Sequence, residues 1–421
     1  MNPVLTNRAR ASRLMSEGGI DAIVACSPAN VRYLTGYWCW LAPLFKQFMV
    51  QPGGSGELVM RNLALLPRQG EACLVVEPFW ALDARAGFVE DVRLAGAASF
   101  ASPQRPLGLP PELAGVALAM ASADAGGDAL TALAGALTDR GLAHARVGVE
   151  REAFYAHELE RLGRLLPQLE VVDCTNLLRL VRAVKTEEEI ERLARAAEIS
   201  ERAALATFAE ARPGVSVADL SRAFRARTAA DGADFDHFAA SIHGIGIVCD
   251  GSHAFDPGSA SYVDFGCISN GWFADSGTTL CVGECSAPAG EAYSAVRDAV
   301  AAGAAAMAPG VPASVVQSAM QVLMAERGIT QSFPHGHGVG LEVRDYPVVV
   351  PDAGAVIRDD CVEVGSDLPL EEGMVVNLEA PFFSVGELSV HCEQTFVVTA
   401  SGSRPLIPQD RDAPVVVGGG A

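Results

Sequence analysis

Aromatic residues make up only 6% of this 421-residue chain, and its 31 basic residues are outnumbered by 51 acidic ones. The resulting net charge of −20 repels other polyanions, which disfavours nucleic acid or an anionic membrane surface as a main partner. No stretch approaches the run of about 18 apolar residues that marks a membrane-spanning helix, and the N-terminus lacks the apolar core of a secretory signal. These absences predict a cytoplasmic protein with no membrane partner. Paired cysteines are missing too: the ten present are scattered singly, and only Cys281 and Cys285 stand close. A lone CxxxC is a weak zinc signature, so the thiols are expected to be reduced and mostly buried.

What the chain does have is apolar content, 50% of its residues, enough for two or three domains with real cores. A helix is expected over Asn7–Glu17, then a buried strand, DAIVAC, then a turn and a short helix or strand in SPANVRYLTGYWCW. Apolar runs recur at Gly56–Met60, Ala72–Val76 and Val116–Met120, and Ala129–Arg140 reads as an alanine-rich helix. Ala145–Glu150 and LEVVDC read as further strands. Strands alternating with helices predict an α/β domain with a mixed sheet. Thr186 and Glu189 form a capping box ahead of helical apolar spacing at Ile190, Leu193, Ala197, Ala204, Leu205 and Phe208. Pro213–Gly214 stops that helix, and Ser216 with Asp219 opens another. The expected division is therefore residues 1–176 and 177–421. Ala211–Phe224 resembles Met307–Met320, ninety-six residues later, around a shared PGV. Two helix–PGV–helix units, each followed by strands, predict a pseudo-symmetric α+β second domain with helices on one face of an antiparallel sheet.

Five residues of that second part raise an electrostatic problem. Asp264 and Asp275 each end an apolar or aromatic run on either side of a glycine-containing turn, Ile268–Gly271. A hairpin there would bring both carboxylates to one edge of a sheet. Glu379 ends the apolar strand MVVNLE, and Glu393 sits inside another, LSVHCEQTFVV. Burying a carboxylate is costly unless it is paired or bound to a cation. His337, framed by glycines in FPHGHGVGLEV, is the fifth. Two divalent cations bridged by carboxylates would neutralise the set, and hard oxygens with one imidazole suit Mn, Co, Fe or Zn.

In this order, D-x10-D, GHGxGLEV, VVNLEAP and a glutamate in a late strand resemble the creatinase/aminopeptidase P/prolidase family. SPANVRYLTGY resembles that family's N-terminal domain motif, and RAVKTEEEIERLARAAEIS the start of its catalytic domain. The resemblance implies an α/β N-terminal domain followed by an α+β pita-bread catalytic domain, and a homodimer. It also implies that Asp264, Asp275, His337, Glu379 and Glu393 hold two metal ions, with Asp275 and Glu393 bridging. His253 resembles the family histidine that contacts substrate. His335 matches a second family histidine, and the choice of His337 over His335 as ligand rests on the GHGxG frame alone. Thr279 matches a threonine near the bridging ligand. Trp38 and Trp40, with Tyr37, are candidates to line the substrate pocket, or else pack in the domain core.

The chain departs from the family where substrate would sit. Arg344 stands where peptidases of the family carry a histidine, and His391 and Gln394 replace the R and D of R-x-E-D. An arginine fork binds carboxylates and oxyanions but is no acid near neutral pH. The expectation is a dinuclear metal-dependent hydrolase cleaving a C–N bond of a small, anionic amide- or amidine-type substrate. Arg344, His253 and His335 would act in catalysis, and Trp38, Trp40, Thr279 and His391 in substrate binding. The alternatives are an Xaa-Pro dipeptidase or aminopeptidase acting on short peptides, a metal-dependent lyase of a small carboxylate, and a non-catalytic pita-bread binding module.

Overall fold

A computed structural model describes residues 4–39, 61–96, 108–122, 127–249 and 251–418. The chain forms two compact units, Met1–Val181 with Ile357–Glu363, and Arg182–Val356 with Val364–Ala421.

The first unit holds a six-stranded mixed sheet. Its strands are β1 (Ala22–Ala25), β2 (Leu63–Pro67), β3 (Cys73–Val76), β4 (Asp91–Leu94), β5 (Arg146–Val149) and β6 (Glu170–Asp173), in the order β4-β3-β2-β1-β5-β6. Strand β1 runs antiparallel to β2 and parallel to β5. Asn7 caps the helix Arg8–Glu17, and Ser27 caps the helix Pro28–Thr35. Gly36, at φ 78°, closes that second helix in the left-handed conformation. Val116–Met120 is not a strand like its neighbours but lies inside the helix Pro111–Ser122. Its alanines, leucine and methionine are strong helix formers, and a short apolar run has no period that separates the two structures. Gly56–Met60 lies outside the described residues.

The second unit is built on a nine-stranded sheet. Seven strands form the path β11 (Asp345–Val349), β10 (His335–Gly338), β14 (Val375–Ser384), β15 (Leu388–Thr399), β9 (Trp272–Val282), β8 (Ala260–Ser269) and β7 (Asp234–Ala240). Strand β16 (Gly402–Pro405) pairs with β15 and β17 (Val415–Val417) with β9; β12 (Val356–Arg358) and β13 (Glu363–Gly365) form a separate ladder, whose residues Ile357, Arg358 and Glu363 are grouped with the first unit. The β8–β9 turn is Asn270–Gly271, both at positive φ (48° and 78°), as a two-residue hairpin of right-handed twist requires. This hairpin lies in the interior of the sheet, not at an edge, because β7 pairs beside β8 and β15 beside β9.

Two helix pairs flank the sheet: Glu187–Phe208 with Val217–Ala230, and Ala287–Ala306 with Ala313–Glu326. The PGV repeat is present in the backbone. Gly214 and Gly310 share φ 86°. Gly214 N–H donates to the Phe255 carbonyl, Phe255 N–H to Val215, and Val217 N–H to His253. In the second copy Gly310 donates to Leu370, Leu370 to Val311, and Ala313 to Leu368. Phe208, Phe224, Phe238 and Phe265 fill the core beneath the first pair, with ring centroids 5.5–6.3 Å apart. Tyr293, Met320, Leu378 and Val390 belong to the core beneath the second.

Candidate metal centre

The middle of the nine-stranded sheet brings the five expected residues together. Across the hairpin Asp264 pairs with Gly277, and Asp275 with Gly266. Glu379 on β14 pairs with Glu393 on β15, and Glu393 in turn pairs with Gly277. His337 on β10 sits opposite Asn377. Alternation along each strand turns these side chains to one face. His337 Nε2 lies 3.4 Å from Asp275 Oδ2 and 3.8 Å from Glu379 Oε1.

The electrostatics are those of a crowded anionic pocket. Burial pushes the Glu393 carboxyl well above its ordinary range, and the neighbouring charges of Asp275, Asp264 and Glu379 push it the same way. Burial likewise raises Asp275, although the nearby His337 imidazole opposes it. Asp264 and Glu379 are lowered: burial works to raise each, but hydrogen bonds from His237 and His335 respectively help to outweigh it. Glu393 Oε2 and His337 Nε2 are buried atoms without hydrogen-bond partners among the described residues. Such orphans are costly unless a cation meets them. Separations of 3.4–3.8 Å are too long for hydrogen bonds, yet ligand atoms of one tetrahedral ion held at about 2.1 Å stand about 3.4 Å apart. His337 Nδ1 lies 3.0 Å from the Gly338 carbonyl, so an N–H placed there leaves the Nε2 lone pair facing the carboxylates. The residues present fit divalent metal, and Asp264, Asp275, His337, Glu379 and Glu393 are among the side chains that could hold it.

His335 takes a different place from His337. Its Nε2 lies 2.8 Å from Glu379 Oε1, and its Nδ1 donates to the Phe333 carbonyl at 2.8 Å. Arg344 reaches the same carboxylate from the rim, 3.5 Å from Glu379 Oε1, with its side chain more than half exposed. Its neighbour Asp345 turns inward and is fully buried, with Oδ2 at 3.4 Å from Arg182 and 3.9 Å from Lys185. Replacing Asp345 with Ala removes the buried carboxylate that faces both Arg182 and Lys185, while Arg182 keeps Glu342. Urea denaturation is expected to show a loss of about 3–5 kcal/mol; an unchanged midpoint would contradict the buried pairing.

Two of the expected substrate contacts lie buried within the sheet. Thr279 is fully buried, and its hydroxyl accepts from His391 N–H at 2.8 Å and donates to the His391 carbonyl at 3.1 Å. That hydroxyl ties β9 to β15. His391 is also fully buried, stacked on Tyr262 with centroids 4.1 Å apart and planes 6° off parallel. It sits among the carboxylates, 3.6 Å from Glu393 and 3.9 Å from Glu379. His253 is exposed on the loop before β8, and its backbone carbonyl is what it contributes to the fold. Trp38 belongs to the first unit, where the Arg32 guanidinium lies 5.5 Å from its ring centroid. Trp40 lies outside the described residues.

Three participants escape a reading of the sequence. His237 on β7 places Nε2 at 2.8 Å from Asp264 Oδ1 and 3.5 Å from Asp275 Oδ1. Tyr262 donates its hydroxyl to Asp264 Oδ2 at 2.9 Å, and Asn377 donates its amide to Glu393 Oε1. A hint existed for His237 alone, a histidine between Asp236 and Phe238 in a strand-like run.

The family model described as Metallopeptidase family M24 matches residues 191–400, and the one described as Creatinase/Prolidase N-terminal domain matches residues 8–184. The chain belongs to this metallopeptidase family. Among curated M24 relatives, the Xaa-Pro dipeptidase of Lactobacillus helveticus is 30% identical over 162 residues, 38% of this chain and 40% of that one. A probable dipeptidase PepE of Mycobacterium tuberculosis is 30% identical over 171 residues, 37% of this chain and 42% of its own. The chain thus spans about two fifths of the length of the curated relatives it matches. In structure it is similar to an X-Pro aminopeptidase from Thermotoga maritima, with a TM-score of 0.69 at 20% identity over 98% of this chain and 99% of that one. The M24 chain has the corresponding architecture, a creatinase-type α/β domain followed by a pita-bread domain. No helix among its described residues is long and apolar enough to cross a membrane.

Proposed function

We infer that this protein is a dinuclear metal-dependent hydrolase that cleaves a C–N bond in a small substrate bearing a carboxylate. The observation that carries the reading is the convergence of four carboxylates and His337 on one face, with Glu393 Oε2 and His337 Nε2 buried and unpartnered. When bound, divalent ions there supply Lewis acidity, making a water acidic and polarising the scissile carbonyl. The rest falls to the side chains. Asp264, Asp275, His337, Glu379 and Glu393 hold the ions. His335, hydrogen-bonded to Glu379, is placed to hold or pass a proton at the rim of the centre. Arg344, beside Glu379 and open to solvent, would grip the substrate's carboxylate with its guanidinium fork. His253, on the loop leading into β8, is the candidate to orient the scissile group when substrate is present.

A second reading, an Xaa-Pro dipeptidase, is favoured by the names of the curated relatives, and a dipeptide also offers Arg344 a free carboxylate. One experiment separates the two: protein reconstituted with Mn²⁺ or Co²⁺ is offered Xaa-Pro dipeptides and tripeptides alongside small anionic amides and amidines. Turnover of an Xaa-Pro dipeptide above about 1 s⁻¹, an ordinary enzyme rate, makes the protein a peptidase; turnover confined to the amides or amidines supports the first reading. On whichever substrate works, Arg344→Ala should raise KM about 10- to 100-fold with kcat little changed, since a charge-assisted hydrogen bond contributes about 1.5–3 kcal/mol. An unsaturated acid formed without consumption of water would mark a lyase and overturn both.

A further inference from the structure

The metal-bearing hairpin holds two glycines, and each has an imidazole pressed against it. A Cβ at Gly266 would fall 2.5 Å from His237 Cε1, and one at Gly277 would fall 2.5 Å from His391 Cε1 and 2.6 Å from Glu393 Oε2. No real side chain tolerates such distances, so both positions are open only because they are glycine. Gly266 pairs with Asp275 and Gly277 with Asp264. The two rings therefore occupy the two spaces directly opposite the two aspartates.

Each ring also has the surroundings of a ligand. His237 Nδ1 lies 2.8 Å from Asp236 Oδ2, while its Nε2 points to Asp264 and Asp275. A histidine that gives one N–H to a carboxylate and turns its other nitrogen to a cation is the usual outer support of metal-bound imidazole. His391 Nε2 stands 3.6 Å from Glu393 Oε2 and 3.9 Å from Glu379 Oε2, too far to hydrogen-bond. Neither of its ring nitrogens has a partner among the described residues, although the ring is fully buried. Register adds a third argument. Asp275 lies two residues before Gly277 on β9, and His391 two residues before Glu393 on β15, while Gly277 and Glu393 face each other. His391 thus holds on its strand the place that Asp275 holds on the neighbouring one.

We propose that His237 and His391 are metal ligands, so that the centre carries three imidazoles, His237, His337 and His391, where the sequence resemblance assigns one. His237 joins Asp264 and Asp275 on one ion; His391 joins Glu379 and Glu393 on the other. Nitrogen donors shift preference away from Mn²⁺, which suits carboxylate and water, toward Fe²⁺, Co²⁺ and Zn²⁺. This rests on the two-ion reading above, and the test keeps the two apart.

The test is made on the full-length chain, stripped and titrated with Co²⁺ and with Mn²⁺, following stoichiometry, affinity and the visible d–d absorption of cobalt. The wild type is expected to bind two Co²⁺ per chain, more tightly than Mn²⁺. His237→Ala and His391→Ala should each weaken one Co²⁺ site by more than about a hundredfold, beyond the 10- to 100-fold that outer supports of metal ligands cost, alter the d–d bands, and affect Mn²⁺ less. His243→Ala, a half-exposed histidine bonded to Asp256, should change nothing. Two cobalt ions held with unchanged affinity and spectrum in both variants would overturn the proposal and leave the two-ion reading standing. No cobalt bound by the wild type would overturn both. If a variant fails to fold, hyperfine-shifted imidazole resonances counted in the cobalt-loaded wild type decide: three rings support the proposal, one ring overturns it.

Discussion

Asp275→Asn is expected to fold normally, retain at most one of its two divalent ions, and lose at least about a thousandfold in activity. Asparagine keeps the shape of the side chain and its place on β9. It removes the charge and one of the two oxygens that face His337 at 3.4 Å and His237 at 3.5 Å. A metal centre contributes several kcal/mol to the transition state, and each 1.36 kcal/mol is a factor of ten in rate. Circular dichroism, elemental analysis of the purified protein, and turnover on the substrate found above are the three readings needed. Full activity in a metal-depleted variant would sink the metal mechanism outright.

Gly277→Ala is the second large effect, and it comes from a single methyl group. Gly277 has no positive φ to forbid a side chain, so its strand backbone would accept alanine. What forbids it is space: His391 and Glu393 both lie inside the methyl's contact distance. The variant must turn both side chains aside. Overpacking of this kind costs about 1–3 kcal/mol of stability, measurable by thermal melting. The larger loss is at the centre, with metal content down to one ion or fewer and activity down at least about a hundredfold, since even outer supports of metal ligands count for 10- to 100-fold. Gly290→Ala, on a helix where a new Cβ meets nothing within 4 Å, is the control and should be neutral or slightly stabilising. An active, metal-loaded Gly277→Ala would mean that His391 and Glu393 are free to move and the pocket is not built around the glycine.

Asp264, Asp275, Glu379 and Glu393 could be picked out in the sequence because each interrupts an apolar strand, where a charge has no business without a partner. The PGV repeat was legible for a similar reason: a left-handed glycine between two helices leaves a fixed signature in the chain. His237, Tyr262 and Asn377 were not legible, because their roles exist only through strand pairing. His237 meets Asp264 from 27 residues away, and the bulge in the β7–β8 register between Phe235 and His237 has no mark in the sequence. His391 was visible but placed in the substrate shell. Position along a strand says which face a residue takes, not how deep that face is buried. The same limit sent the β8–β9 hairpin to a sheet edge, since a strand's neighbours are set by distant segments, and made a strand of Val116–Met120.

The sheet of the second unit is a pair of half-sheets set side by side. Within each half the ladders are long, ten paired positions between β8 and β9 and ten between β14 and β15. Between the halves, β9 and β15 share one paired position among the described residues, Glu393 with Gly277, together with the Thr279 hydroxyl on the His391 backbone and the Thr395 hydroxyl on the Asp275 carbonyl. Cations seated at that seam are rivets. They would join two duplicated halves that share few backbone hydrogen bonds, and the free energy of metal binding would then also be free energy of holding the sheet closed. Loss of metal would then loosen this midline before the outer strands.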